Sequence, residues 1–175
     1  GETARAVGIV THRFLEHYSG MATSMEIKPD AEHKSAISTA LGNLGLPADE
    51  IAQATGKVLI ALKNTLDDER GKWILGAHEK ASNEYSLTTK TEQGFRRFII
   101  DRTFIDENGT RWIIDYKTGS HEGSDTETFL DQEQQRYKSQ LDNYAQLFSQ
   151  LENRPIQLGL YFPLLKGWRE WPFLA

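Results

Sequence analysis

The sequence predicts an α/β protein: a mixed β-sheet flanked by helices, with a helical N-terminal part. Three observations predict it. Apolar residues over the first 80 positions recur at helical spacing. From Ser82 the period changes to that of strands. A long helical stretch over 129–152 then separates the third strand from the last ones, and a strand–helix–strand order implies a crossover and hence a mixed sheet. The 175 residues suit one domain of ordinary size. Residues 1–80 read as its mainly helical part and 81–175 as its αβ core.

Each element has its own signal. Residues 4–18 read as a helix because Val7, Val10, Phe14, Leu15 and Tyr18 form an apolar stripe, and Ser19-Gly20 ends it. A second helix is expected from about Pro29-Asp30, since proline is tolerated in a first turn, fading at Leu41-Gly42-Asn43. Leu46-Pro47-Ala48-Asp49-Glu50 opens a third, its acids suited to a helix N-terminus, and Ile51, Ala54, Val58, Leu62 and Leu66 follow at helical spacing. A short helical piece is expected at Arg70–Leu75. Glu84–Thr89, Gly94–Ile105 and Thr110–Lys117 read as strands, and His121–Thr128 as a mobile polar loop. Phe129–Glu152 is a long helix with Tyr137, Leu141, Tyr144, Leu147, Phe148 and Leu151 on one face, stopped by Pro155. Gln157–Phe162 reads as a buried strand and Arg169–Leu174 as an edge strand.

Composition narrows the function. With no cysteine, disulfides, cysteine-ligated zinc and iron–sulfur clusters are excluded. The same absence suits a reducing compartment, and a cytoplasmic location is expected. No run approaches the roughly 20 apolar residues of a membrane helix. The chain begins Gly-Glu-Thr rather than with Met, which suggests a fragment of something longer. A net charge of −5 argues mildly against gripping nucleic acid by bulk electrostatics. A metal site, however, spends several acids locally, and a bound cation offsets them.

The chemistry concentrates in one hairpin. Phe98-Ile99-Ile100-Asp101-Arg102-Thr103-Phe104 and Arg111-Trp112-Ile113-Ile114-Asp115-Tyr116-Lys117 flank Asp106-Glu107-Asn108-Gly109. An Asn-Gly between apolar runs is the strongest short-range hairpin signal. The charges lie within the runs rather than at the turn, and a carboxylate in a buried strand is costly unless paired or bound to a metal. Asp101 and Asp115 would hold Mg²⁺ or Mn²⁺, with the Tyr116 backbone carbonyl as a further ligand and Lys117 supplying positive charge to a reacting phosphate. Parity makes a demand on this site. Opposed residues of an antiparallel pair share a face, so Asp101 meets Asp115 only across an odd-numbered loop or a bulge. The expected geometry is a three-residue loop with Gly109 in the left-handed region. The plain alternative is a surface hairpin carrying an Asp–Lys pair.

Asp101, then Ile114-Asp115-Tyr116-Lys117-Thr118-Gly119, then Gln140-Leu141-Asp142-Asn143-Tyr144, resembles the PD-(D/E)xK nuclease superfamily. More narrowly it looks like the RecB/AddA-type, exonuclease V beta-like nuclease domain at the C-terminus of bacterial helicase–nucleases. Gly8-Ile9-Val10-Thr11-His12-Arg13-Phe14-Leu15-Glu16 is similar to that family's helix with a metal-coordinating histidine, which maps His12 onto a metal ligand. The resemblance implies a restriction-endonuclease-like sheet, catalytic Asp101, Asp115 and Lys117, and Mg²⁺ or Mn²⁺ without an iron–sulfur cluster. Glu84 sits where the family often has an acid on the first strand, as an auxiliary ligand, with His78 and Glu79 as nearby competitors. Gln140 and Tyr144 share a helix face and would contact the DNA backbone or buttress the site, with core packing as the alternative for Tyr144. Arg136, one turn earlier, is a phosphate-binding candidate. Arg102 is another, although strand alternation turns it to the face opposite Asp101.

The implied activity is metal-dependent hydrolysis of DNA, as an exonuclease of a DNA repair and recombination enzyme. The partner would be single-stranded DNA fed by a helicase domain of the same parent chain or complex, with no membrane involved. Residues 56–58 do not make a phosphate loop, so any ATP-driven motor must lie elsewhere. The alternative is a non-cleaving DNA- or partner-binding module of the same fold. A base-specific phosphodiesterase of the superfamily would need elements reaching a groove, for which the sequence offers no candidate.

Overall fold

A computed structural model describes residues 1–21, 31–121, 123 and 125–175. Its elements run α1 (Glu2–Tyr18), α2 (Ala31–Asn43), α3 (Ala48–Asp67), α4 (Glu69–Leu75), β1 (Glu79–Thr91), β2 (Gly94–Ile105), β3 (Arg111–Tyr116), α5 (Thr126–Ser149), β4 (Ile156–Phe162) and β5 (Gly167–Pro172). The five strands form one mixed sheet in the order β1-β2-β3-β4-β5. The predicted class is therefore observed. The expected start of the second helix, at Pro29-Asp30, lies outside the described residues.

The chain divides into two compact units. The first comprises Gly1–Ala77, Tyr116–Glu122 and Phe162–Gly167. Its core is the inward stripe of the helices: Val10 and Leu15 from α1, Ile37 and Leu41 from α2, Ala54, Val58 and Leu62 from α3, and Ile74 from α4. Phe14, Tyr18 and His33 add a cluster of edge-on rings with centroids 5.8–6.2 Å apart. Phe14, Ile51 and Leu66, expected on apolar stripes, are only half-buried. The Asn64 amide donates to the Pro163 and Leu164 carbonyls at 3.0 and 3.3 Å and so fastens the turn after β4 to α3.

The second unit comprises His78–Asp115, Gly123–Tyr161 and Trp168–Ala175, and contains most of the sheet with α5. Tyr85 of β1 stacks on Phe148 of α5 (5.4 Å) and Phe98 of β2 meets Tyr144 edge-on (5.7 Å). Arg111, at the start of β3, forms a two-point ion pair with Glu152 (2.5 and 3.0 Å), and its guanidinium lies 4.7 Å from the Phe148 ring centre. Both side chains are largely buried, at 6% and 17% exposed.

Three expectations need correction at element ends. The loop expected over 121–128 gives way to α5 at Thr126, because Asp125 caps the helix by accepting from the Thr128 backbone N–H (3.2 Å). The same helix ends at Ser149 rather than Glu152, since Glu152 turns back to Arg111, and Leu151 is left 65% exposed. The first strand starts at Glu79, five residues before the expected Glu84, and its register is irregular between Glu79 and Ser82. Lys80 and Glu84 both take left-handed backbone (φ 49° each), which interrupts the alternation a sequence reader looks for.

Candidate metal and phosphate site

The hairpin joining β2 to β3 has the geometry that parity demanded. Ile105 pairs with Arg111, Phe104 with Trp112, Thr103 with Ile113 and Arg102 with Ile114. The Asp106 N–H donates to the Thr110 carbonyl (2.9 Å), which leaves Glu107, Asn108 and Gly109 as a three-residue loop. Gly109 closes it with φ 80°, a conformation that costs glycine little and other residues more. Continuing the ladder by one residue sets Asp101 directly across from Asp115, so the two carboxylates share a face of the sheet. Both side chains are half-buried.

The residue that fixes this loop is Asp106, at its start. Its Oδ1 accepts from the backbone N–H of Asn108 (2.9 Å) and Thr110 (3.0 Å), and its Oδ2 from the Trp112 indole (2.8 Å). Burial alone would raise this carboxyl. The hydrogen bonds from Trp112, Thr110 and Asn108 outweigh it and hold the group below the ordinary aspartate value. The usable signal was an aspartate three residues before glycine, which is the Asx pattern of a turn.

Around Asp101 the register also brackets Glu84. Asn83 pairs with Arg102 and Tyr85 with Ile100, which makes Glu84 the β1 residue nearest Asp101 in sequence register. Glu84 is exposed and in left-handed backbone, an outlier of the kind that collects at functional positions. Its competitors are placed differently: His78 stacks on Phe104 (3.9 Å, 10°), and Glu79 pairs with Ile105 at the far end of the strand.

Arg102 is corrected. It is 2% exposed, donates to the Asn83 side chain (3.3 Å) and lies over the Phe104 ring (5.5 Å), so it is a core cation rather than a surface phosphate binder. On α5, Gln140 is exposed and donates to the buried Tyr144 hydroxyl (2.8 Å), so the helix-face pair expected from the sequence is a hydrogen-bonded one. Arg136 is 69% exposed, with Glu133 3.7 Å away and its own neighbour Tyr137 beneath its guanidinium.

His12 and Tyr116–Thr118 belong to the first unit. The His12 ring meets Tyr116 edge-on at 5.6 Å. Its Nδ1 lies 2.6 Å from the Gly8 carbonyl. A carbonyl only accepts, so Nδ1 is the donor of this contact, which in a neutral ring leaves Nε2 as the acceptor nitrogen. That is the arrangement a metal-binding histidine uses. Gly8 also admits the strand's end: a Cβ there would stand 3.1 Å from the Thr118 hydroxyl. Lys117 lies one residue beyond β3, which is shorter than the expected strand, and is half-buried.

Among the described residues, no group of three or more His, Asp or Glu side chains forms a metal cage. Two opposed carboxylates nevertheless fit Mg²⁺, which uses one or two carboxylates and takes its other ligands from water and substrate phosphate.

The β2–β3 pair thus opposes two half-buried aspartates, and a lysine follows directly after β3. The family model of the PD-(D/E)XK nuclease superfamily matches residues 1–168, and the chain belongs to that superfamily. Its members are nucleases that use divalent metals, typically Mg²⁺. No protein of curated function matches this sequence. Among solved structures, one described as the crystal structure of SSO0001 is similar, at 16% identity and a TM-score of 0.34, covering 95% of this chain and 76% of that one. A likeness at that level carries no argument. Among the described residues no helix is long and apolar enough to cross a membrane.

Proposed function

We propose that the chain is a Mg²⁺- or Mn²⁺-dependent deoxyribonuclease domain of the RecB/AddA type, an exonuclease working on single-stranded DNA delivered by a helicase in a repair and recombination enzyme. The observation that carries the chemistry is the register opposing Asp101 to Asp115. Residues 1–80 would be the helical part of this single domain, 81–175 its catalytic core, and the cytoplasm its location.

The roles follow from donor chemistry. Asp101 and Asp115 offer hard carboxylate oxygens for the cation, and the Tyr116 carbonyl adds another. His12 is a further ligand, a role supported by the Gly8 contact that fixes its tautomer. Glu84 is an auxiliary one. A divalent cation bound by these residues would supply polarisation of the scissile phosphate and a more acidic water at neutral pH. Lys117 brings an ammonium to the oxygens that gain charge as the P–O bond breaks. Gln140, exposed and held by its hydrogen bond to the buried Tyr144, is the member of that pair offered to the DNA backbone while Tyr144 buttresses it, and Arg136 offers an exposed guanidinium to a phosphate.

Removing the Lys117 ammonium by Lys117→Met is expected to lower kcat on single-stranded DNA by about 100-fold or more, the size of losing one charge-stabilising donor. Asp115→Ala should abolish Mn²⁺-supported cleavage while the circular dichroism spectrum stays native. Equal cleavage by wild type and Asp115→Ala would end this reading.

A further inference from the structure

The sheet contains a second feature that the metal site does not use. β3 pairs with β2 over Arg102–Ile105, whereas β1 stays paired with β2 to the tip, through Ser86↔Ile99, Thr88↔Arg97, Lys90↔Phe95 and Thr91↔Gly94. The outer part of the hairpin is therefore a two-stranded ribbon, a form that is marginal in water by itself. Its register is unbroken from Ser82 to Thr91, so alternation holds along β2. Leu87, Phe98 and Arg96 take one face, where Phe98 packs on Tyr144 and the Arg96 guanidinium lies 4.8 Å from the Phe98 ring centre. Phe95, Arg97, Ile99 and then Asp101 take the other. The Arg97–Ser86 hydrogen bond (3.0 Å) runs between residues on diagonally neighbouring sites of that second face, which agrees with the assignment.

This second face is an unusual surface for a chain of net charge −5. Phe95 is 80% exposed and Ile99 41%. Lys90 stands directly across from Phe95, and Arg97 is exposed beside them. Between Thr88 and Phe98 the charges are Lys90, Arg96 and Arg97 against Glu92 alone, a local surplus of two positive charges. An exposed phenylalanine between cations has the composition of a single-strand-binding platform, where bases stack on the ring and cations follow the phosphates. The face also leads to the candidate metal site. Phe95 lies six residues from Asp101 along β2, which is about 20 Å of extended strand.

We propose that the Lys90–Phe95–Arg97–Ile99 face of the β1–β2 ribbon is a track for single-stranded nucleic acid, which guides the strand along β2 to Asp101. This rests on the nuclease reading above for what happens at Asp101, but not for the binding itself.

The test is affinity for a fluorescent single-stranded oligonucleotide, with EDTA present so that nothing is cleaved. Phe95→Ala is expected to weaken binding about tenfold, as for loss of one stacked base, without changing the salt dependence. Arg97→Ala should weaken binding and lower the slope of log K against log salt by about 0.7, one phosphate contact on a single strand. Arg96→Ala removes the same charge from the opposite face and should change affinity much less. In Mn²⁺, Phe95→Ala and Arg97→Ala should raise KM for the oligonucleotide and leave hydrolysis of bis-p-nitrophenyl phosphate, too small to reach the ribbon, unchanged. Unchanged affinity in Phe95→Ala and Arg97→Ala overturns the track and leaves the face to a protein partner. Equal losses from Arg96→Ala and Arg97→Ala with Phe95→Ala neutral would reduce it to undirected charge. If the wild type cleaves neither substrate while the affinity pattern holds, the nuclease reading fails and the track stands.

Discussion

At the scale of single residues, buried charge decides more than surface charge. Glu152 takes both hydrogen bonds of the Arg111 fork, and this pairing with Arg111 and the nearby Arg154 holds its carboxyl below the usual glutamate value despite burial. Glu152→Ala would leave the Arg111 guanidinium buried without its partner, and a loss of about 3–5 kcal/mol in urea unfolding is expected. Removing the pair together, by Arg111→Met with Glu152→Leu, should cost far less, because the desolvated charges go with it. The sequence hid this pair, since 41 positions separate its members and nothing local marks either. Arg102 was hidden for a different reason. Alternation gave its face correctly, but burial beside Asn83 and Phe104 depends on what covers that face. Asp101 and Asp115 were legible because a carboxylate inside an apolar run is conspicuous.

At the scale of elements, the loop between β2 and β3 governs the candidate site. An odd-numbered loop opposes Asp101 to Asp115, and a slip of one residue would send one of them to the other face. Gly109 (φ 80°) is the residue that permits it. Gly109→Ala should lower stability by about 1 kcal/mol through the left-handed backbone alone, measured by thermal unfolding, and the fold should survive because Asp106 still ties the loop through Asn108, Thr110 and Trp112. A loss no larger than that of a random surface substitution would mean that the loop does not depend on glycine. This element was readable from Asn108-Gly109 and its apolar flanks. The start of β1 was not, because residues 79–83 are polar apart from Ala81, and Lys80 and Glu84 break the period. The ends of α5 depended on Asp125 and on Glu152, neither of which lies on the apolar stripe that identified the helix.

At the scale of the whole molecule, two partly buried carboxyls with depressed values, Asp106 and Glu152, shape the response to acid. Both have folded values below those of an ordinary aspartate and glutamate. The unfolded chain therefore binds protons more readily than the folded one in this range. The stability these groups supply is present in full above the unfolded values and is lost as pH falls through the folded ones. Unfolding free energy measured by denaturant should be flat from neutral pH down to about pH 5 and fall steeply below pH 4. Asp106→Asn should make that fall shallower, and an unchanged acid limb would count against the role given to this residue.

The most direct test of the account is where a divalent cation binds. A crystal soaked in Mn²⁺, read by anomalous scattering, should place an ion against the carboxylates of both Asp101 and Asp115, and Asp115→Ala should remove it. Asp101 and Asp115 pointing to opposite faces of the sheet, or Mn²⁺ bound only elsewhere on the chain, would contradict the account.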